Sequence, residues 1–345
     1  MVDLTSHPLA PLVLLAVGAA AVGLVIKLIS ALVESALRIA VAVAIVVAAG
    51  VAAWFAFAPA NERDDALDVA AGMFDELRDQ ATAGDDSADA GLDELAPVTV
   101  FAWNVNSGVD SDRDQQLPFI MTSLADTDAD VIALSEVQPQ WFDRIVGGAS
   151  DGERTYGGRL GEWGDTQRLA VLWDEDRFEF VRADEMTGVV DGHGRGNRAP
   201  LAVVIRDRAS GAELEIVTIH LNRGDDARRT TQATRLNALI RDRSGDRPTI
   251  VIGDGNVDCP LDAAPGGCND AFHRLVDDAV LTWIDPVARR QTTCTTRYND
   301  MLDVAFVDDP ALAAEASVTI PDDRIWCDRM AAGAHYPITL VLRGH

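Results

Sequence analysis

Five short segments of this chain place carboxylates, amides and histidines in a recurring context. They are Phe-Ala-Trp-Asn (101–104), Ala-Leu-Ser-Glu (133–136), Thr-Ile-His-Leu-Asn (218–222), Gly-Asp-Gly-Asn (253–256) and Ala-His-Tyr-Pro (334–337). Carboxylate and amide oxygens suit a hard divalent cation, and paired histidines can move protons or contact a phosphate. That combination fits metal-assisted cleavage of phosphoesters.

Each residue also has a plainer reading. Glu136 could be a solvated charge at a strand end, and Asn104 a turn residue. His220 could be a satisfied core histidine. Asp254 and Asn256 could be turn chemistry, since Asp-Gly favours turns. Their i, i+2 spacing lets both side chains face one side of an extended segment, and Gly253 and Gly255 permit close approach of backbone to substrate. Arg198, in Asn-Arg-Ala-Pro, is either a phosphate contact or a surface arginine.

The elements that must hold these residues can be read from the flanking sequence. Three segments follow apolar, β-branched runs: Val98-Thr99-Val100, Ile216-Val217 and Ile250-Val251-Ile252. Such runs mark buried strands, so the polar residues stand where strands stop, on a rigid sheet rim. Strands are expected at 98–104, 131–135, 168–173, 177–181, 200–206, 213–220, 249–253, 303–307 and 338–343. Helices are expected at 114–125, 139–145, 226–242 and 269–278. Strands this numerous with interleaved helices imply an α/β or α+β sandwich, two sheets face to face flanked by helices.

The segments, in this order and spacing, resemble the endonuclease/exonuclease/phosphatase superfamily of DNase-I-like enzymes over roughly residues 97–345. The resemblance implies a four-layer αββα sandwich and a cofactor of Mg²⁺, Mn²⁺ or Ca²⁺. It makes Glu136 the principal metal ligand, with Asn104 and Asp254 beside it. Asp254 would activate the attacking water, Asn256 would contact phosphate, and His220 would contact phosphate or act as acid. Asp303 would orient His335, and Arg198 resembles an Arg-x-Pro element that reaches the phosphate. The abasic-site repair branch lacks the histidine at 220.

The chain departs from the family at three places. Ser135 replaces a Gln, Gln167 aligns with a Glu that supports the first histidine, and Ala334 replaces an Asp that often binds a second metal. Asp328 is a candidate substitute for that last carboxylate. The departures at 167 and 334 motivate a second hypothesis, a catalytically degenerate binding protein.

Composition bounds the setting. Two nearly unbroken apolar runs, 9–29 and 39–59, each have about the length that spans a bilayer. They imply a membrane hairpin over residues 1–60, with the lipid bilayer as partner. A signal peptide cleaved after Ala60 or a buried helix pair are the alternatives. Lys27 and Arg38 near the connecting loop place that loop in the cytoplasm and both ends outside. Residues 61–96 read as an acidic linker with one short helical stretch. All four cysteines, Cys259, Cys268, Cys294 and Cys327, lie in the last ninety or so residues. In an exported domain they suit disulfides, Cys259–Cys268 and Cys294–Cys327, the first bracketing a Pro/Gly-rich loop. Free thiols and a zinc site compete, though no Cys-x-x-Cys exists.

The formal net charge is −26, and Lys27 is the sole lysine. Such a surface repels polyanions at range and lacks the basic stripe of a dedicated nucleic-acid binder. It leaves a nuclease open, because a metal and local arginines can dominate a cleft. The expected substrate is a phosphodiester, as nucleic acid or as a phosphorylated lipid or small molecule. A nuclease is the first reading and a phosphatase or phospholipid phosphodiesterase the second. No protein partner is inferable.

Overall fold

The apolar runs before Asn104, Glu136, His220 and Asp254 are strands in the computed structural model. It describes residues 96–105, 113–164, 166–192, 197–243, 245, 247–262, 267–294, 300–330 and 334–343. The expected membrane hairpin and the linker through residue 95 lie outside these residues. Among the described residues no helix is long and apolar enough to cross a membrane.

Strands β1 (Val98–Asn104), β2 (Val131–Val137), β3 (Tyr156–Leu160) and β4 (Arg168–Asp174) come from the first half of the domain. The second half supplies β5 (Phe178–Glu185), β6 (Leu201–Asp207), β7 (Glu213–His220), β8 (Thr249–Pro260), β9 (Thr282–Trp283) and β10 (Asp300–Val307). The short β11 (Ser317–Thr319) and β12 (Ile338–Leu342) close the chain. They form two six-stranded sheets, β11-β12-β1-β2-β4-β3 and β5-β6-β7-β8-β10-β9. Each sheet has one parallel pair at its middle, β1 with β2 and β7 with β8; the other pairings are antiparallel.

Period-2 alternation decides the layers. Val98, Val100, Ala102, Val131, Ala133, Leu169 and Val171 enter the core shared with the second sheet. Phe101, Trp103, Ile132, Leu134, Ala170 and Leu172 face the other way, into a separate cluster with Leu117, Ile120, Leu124 and Ile145. Those last four come from α1 (Arg113–Ala125) and α2 (Phe142–Ala149), which cover that face. On the second sheet, α3 (Asp226–Arg241) and α4 (Asp270–Leu275) bury Ala233, Leu236, Ile240, Phe272 and Leu275. Helices, sheet, sheet and helices follow in sequence, so this is an α/β sandwich of the expected layering.

Several boundaries differ from the sequence reading. The helix expected at 139–145 is a 3₁₀ turn at Pro139–Trp141 followed by α2, because proline starts the turn without an N–H to give. The helix at 269–278 ends at Leu275, where Val276 leaves helical backbone. Strand β8 runs past 253 to Pro260, and β10 starts at Asp300. Five short strands and helices lie outside the expected segments: β3, β9, β11, α5 (Pro310–Ala314) and α6 (Ile325–Asp328). The glycines of Tyr-Gly-Gly-Arg-Leu hide β3, which survives as an edge strand paired to β4. Both expected disulfides, Cys259–Cys268 and Cys294–Cys327, are formed.

Candidate functional site

The two parallel pairs bring the site residues into register. Asn104 pairs with Ser135 across β1 and β2, which sets Glu136 one residue beyond. His220 pairs with Asp254 across β7 and β8, and Asp303 pairs with Asp254 from the other side. In β2 the register shifts between Leu134 and Val137, and Glu136 takes a left-handed φ of 62°. A non-glycine residue there costs about 1–2 kcal/mol, so the surrounding structure holds Glu136 in a turned-out position. In β8, Gly253 has φ 131°, and a Cβ on it would stand 2.7 Å from the Ile219 carbonyl oxygen. Glycine is required for β7 and β8 to approach at this point.

Asp254 is the hub. It is 2 % exposed; its Oδ2 accepts the Asn104 Nδ2–H at 2.9 Å and its Oδ1 accepts the Asn256 backbone N–H at 3.1 Å. Asn104 Nδ2 also lies 3.5 Å from Glu136 Oε1, so one amide bridges the two carboxylates. Both imidazoles face Asp254 Oδ2, His220 Nε2 at 3.5 Å and His335 Nε2 at 3.8 Å. His335 Nδ1 meets Asp303 Oδ2 at 2.6 Å, as the orienting role requires. Trp103 Nε1 donates to the His335 carbonyl at 2.8 Å and ties that loop to β1.

The two histidines are driven to opposite charge states. Burial, then the nearby Arg198, His335 and Arg223, lower the His220 pKa well below its ordinary value, so this ring is neutral. Burial also works against the charged form of His335, but Asp303, Asp254 and Glu136 outweigh it and raise the pKa to about 9. Asp254 is pushed up to about 6 by burial first and by Asp303 and Glu136, against His335 and the Asn104 bond. A carboxylate with a pKa near neutrality, beside a charged imidazole and a neutral one, is an acid/base set.

Three residues, Gln167, Arg198 and Asn256, make contacts other than the expected ones. Gln167 does not touch His220: its Nε2 donates to Glu136 Oε2 at 2.6 Å. Arg198 donates from Nη2 to Gln167 Oε1 at 2.6 Å and from Nε to the Gln167 carbonyl at 3.2 Å. Since arginine can only donate, it fixes the Gln167 oxygen on its own side and aims the amide N–H at Glu136. The guanidinium expected on substrate is therefore committed to a relay behind Glu136, with Nη2 3.9 Å from Glu136 Oε1. Asn256 is likewise turned inward, donating from Nδ2 to the Leu221 carbonyl at 2.9 Å.

The family's divalent ion fits these residues. Glu136 and Asp254 converge on the same Asn104 amide, and His220 Nδ1 is buried without a hydrogen-bond partner, 3.7 Å from Glu136 Oε1. Asp254, Asp303 and His335 also gather ligand atoms within 4.8 Å of one another. His335 is already bound to Asp303, and a hard cation prefers oxygen, so Glu136 with Asp254 is the better seat. Rotating the Asn104 amide would add its Oδ1. Ala334 is fully buried in the apolar cluster under α1, and Asp328 stands exposed beside Arg324.

Comparison with known proteins bears on the fold and the family. No curated protein sequence matches the chain. Among solved structures, an endonuclease/exonuclease/phosphatase from Bacteroides vulgatus superposes with a TM-score of 0.58 at 17% identity, covering 73% of this chain and 100% of that one. D. rerio TDP2 complexed with single-strand DNA product gives 0.57 at 16%, covering 72% and 99%. A mannosyl-6-phosphatase of Bacteroides thetaiotaomicron gives 0.52 at 15%, covering 70% and 98%. These likenesses speak for the fold. The sequence profile of the Endonuclease/Exonuclease/phosphatase family matches residues 101–325, and the chain belongs to that family of phosphoester hydrolases.

Proposed function

We propose that this protein is a divalent-metal-dependent phosphodiesterase, an extracytoplasmic nuclease held on the membrane by residues 9–59. The observation that carries the reading is Asp254, a base of raised pKa set between a neutral His220 and a charged His335. Glu136 and Asp254, with Asn104, would hold a divalent cation, Mg²⁺ or Mn²⁺, which would supply polarisation of the phosphate. Asp254 accepts the proton of the attacking water. His335, kept charged by Asp303, faces the developing negative charge on phosphate and leaving group. His220 donates from Nε2 to a phosphate oxygen. The apolar runs and the two disulfides support an exported, tethered domain.

A phosphatase or phospholipid phosphodiesterase is the second reading, favoured by the net charge of −26, which disfavours long polyanions. Solved relatives include one with a DNA product and one that is a mannosyl-6-phosphatase, so the fold accommodates both. The test offers plasmid DNA, RNA, bis-p-nitrophenyl phosphate, inositol phosphates and sphingomyelin in parallel, with Mg²⁺, Mn²⁺ or Ca²⁺. The full chain in detergent is compared with a fragment of residues 88–345, which keeps Ala96 and Pro97 on Arg177. Cleavage of nucleic acid that disappears in Asp254→Ala supports the first reading. Turnover confined to a monoester or lipid supports the second, and no turnover on any substrate supports a degenerate binding protein.

A further inference from the structure

Where β10 passes Asp254, its ladder to β8 breaks. Met301 pairs with Cys259 and Asp303 with Asp254, so the single Leu302 faces the looped-out stretch Gly255–Asp258. Asn256 and Asp258 in that stretch have left-handed φ of 48° and 44°. A bulge of this kind strips nearby backbone groups of ladder partners, and buried N–H groups must find others. Here the partner is a side chain from outside both sheets. Thr292 Oγ1 accepts the Leu302 N–H at 2.8 Å and the Asp303 N–H at 3.2 Å.

The same residue reaches the other half of the dyad. The Thr292 carbonyl accepts the Tyr336 N–H at 2.7 Å, and Thr293 bridges to His335. Cys294 N–H donates to the Ala334 carbonyl at 2.8 Å, and Cys294 is anchored in turn by its disulfide to Cys327. Thr292 is 0 % exposed. Residues 292–294 therefore lie between the strand that carries Asp303 and the loop that carries His335, and bond to both.

We propose that Thr292 is the positioning residue of the Asp303–His335 pair, its hydroxyl fixing the Asp303 backbone and its carbonyl the His335 loop. Thr292 touches neither substrate nor the reacting atoms; it acts through the 2.6 Å contact between His335 Nδ1 and Asp303 Oδ2. The inference rests on the reading of that pair as catalytic, and its test includes a readout that does not.

The hydroxyl is removed in Thr292→Val, which keeps the shape, and retained in Thr292→Ser. Full-length proteins are compared by the downfield imidazole proton resonance of His335, identified by its loss in His335→Gln, and by kcat and KM on bis-p-nitrophenyl phosphate. Thr292→Val should lose or shift the resonance. It should also lower kcat by about tenfold, the factor for one buried hydrogen bond's worth of transition-state stabilisation, with KM within about twofold. Thr292→Ser should restore both. Should Thr292→Val fail to fold, Thr292→Ala against Thr292→Ser gives the same comparison. An unshifted resonance in the variant lacking the hydroxyl would overturn the proposal, and so would a serine variant as impaired as the valine one. A wild type inactive on every substrate would sink the functional reading and leave the resonance to decide Thr292.

Discussion

Raising the pH should destabilise this protein through His335, with Asp303 as the cause. The ring is 2 % exposed, and burial alone would make it titrate low. Its pKa is instead raised from 6.5 to about 9, because the Asp303, Asp254 and Glu136 carboxylates outweigh burial. A group whose folded pKa exceeds its unfolded one binds its proton more tightly in the native state. Its stabilisation is complete below about pH 6.5 and is lost as pH rises through about 9. At 1.36 kcal/mol per unit, the shift corresponds to something on the order of 3 kcal/mol. Asp254 has the same sign and a lower window. Its pKa is raised from 3.8 to about 6, so its ionisation costs native stability as pH climbs through that lower range.

The perturbation is Asp303→Asn. The amide oxygen can still accept the His335 Nδ1–H, so the geometry is kept while the charge is lost. Urea unfolding of residues 88–345 in chelator, at about pH 6.5, 7.5, 8.5 and 9.5, gives stability as midpoint times slope. The wild type should lose on the order of 2–3 kcal/mol across this range, and Asp303→Asn should lose clearly less. An identical decline in the two proteins would refute Asp303 as the source. A flat wild-type profile would refute the charged ring itself.

Glu136→Ala and Asp254→Ala should each reduce turnover by on the order of a hundredfold or more, with circular dichroism unchanged, since each removes a cation ligand. Gln167→Glu would set a second carboxylate against Glu136 Oε2, 2.6 Å from the present amide nitrogen. It should tighten Mn²⁺ binding by calorimetry and lower the melting temperature in chelator. The two disulfides close spans of 33 and 9 residues. Removing Cys294–Cys327 should cost about 4 kcal/mol and Cys259–Cys268 about 2.5, read by urea unfolding of double serine variants. Ala334→Asp should destabilise by about 1–3 kcal/mol without easing the metal requirement, because Ala334 is fully buried among Trp103, Leu117 and Met330 in an apolar cluster; a lower Mg²⁺ requirement for half-maximal rate would place residue 334 in the metal shell instead.

The strands that carry Asn104, Glu136, His220 and Asp254 were legible because each is buried on both sides and reads as a continuous apolar run. Both disulfides were legible from cysteine spacing and the loop that the first pair encloses. Other features were not, for a common reason: they depend on which backbone groups the sheets leave over. Nothing in Gln-Thr-Thr-Cys marks Thr292 as the acceptor for two strand N–H groups, because the need arises from a bulge opposite Leu302. Gln167 could be aligned, but its contact with Glu136 follows from Arg198 holding the other end of its amide. The extension of β8 to Pro260 was hidden by the glycines and aspartates of 253–258, which read as a turn.

The site is placed where it is by the way the sandwich handles charge. Two parallel pairs, β1–β2 and β7–β8, pack across the core and end on the same rim. Each delivers one amide or imidazole and one carboxylate: Asn104 with Glu136, and His220 with Asp254. Two carboxylates, the partly buried Glu136 and the buried Asp254, so close to one amide repel each other, and Asp303 adds a third. The fold offers three responses to that repulsion. Asp254 has its pKa raised, His335 is held protonated, and Arg198 works through Gln167 on Glu136. A divalent cation between Glu136 and Asp254 would be a fourth, and the strongest. Its binding should therefore release a proton from Asp254 near pH 6, so metal affinity should fall as pH drops below that value. The repulsion that makes this rim unfavourable by itself is the force that draws the cofactor in.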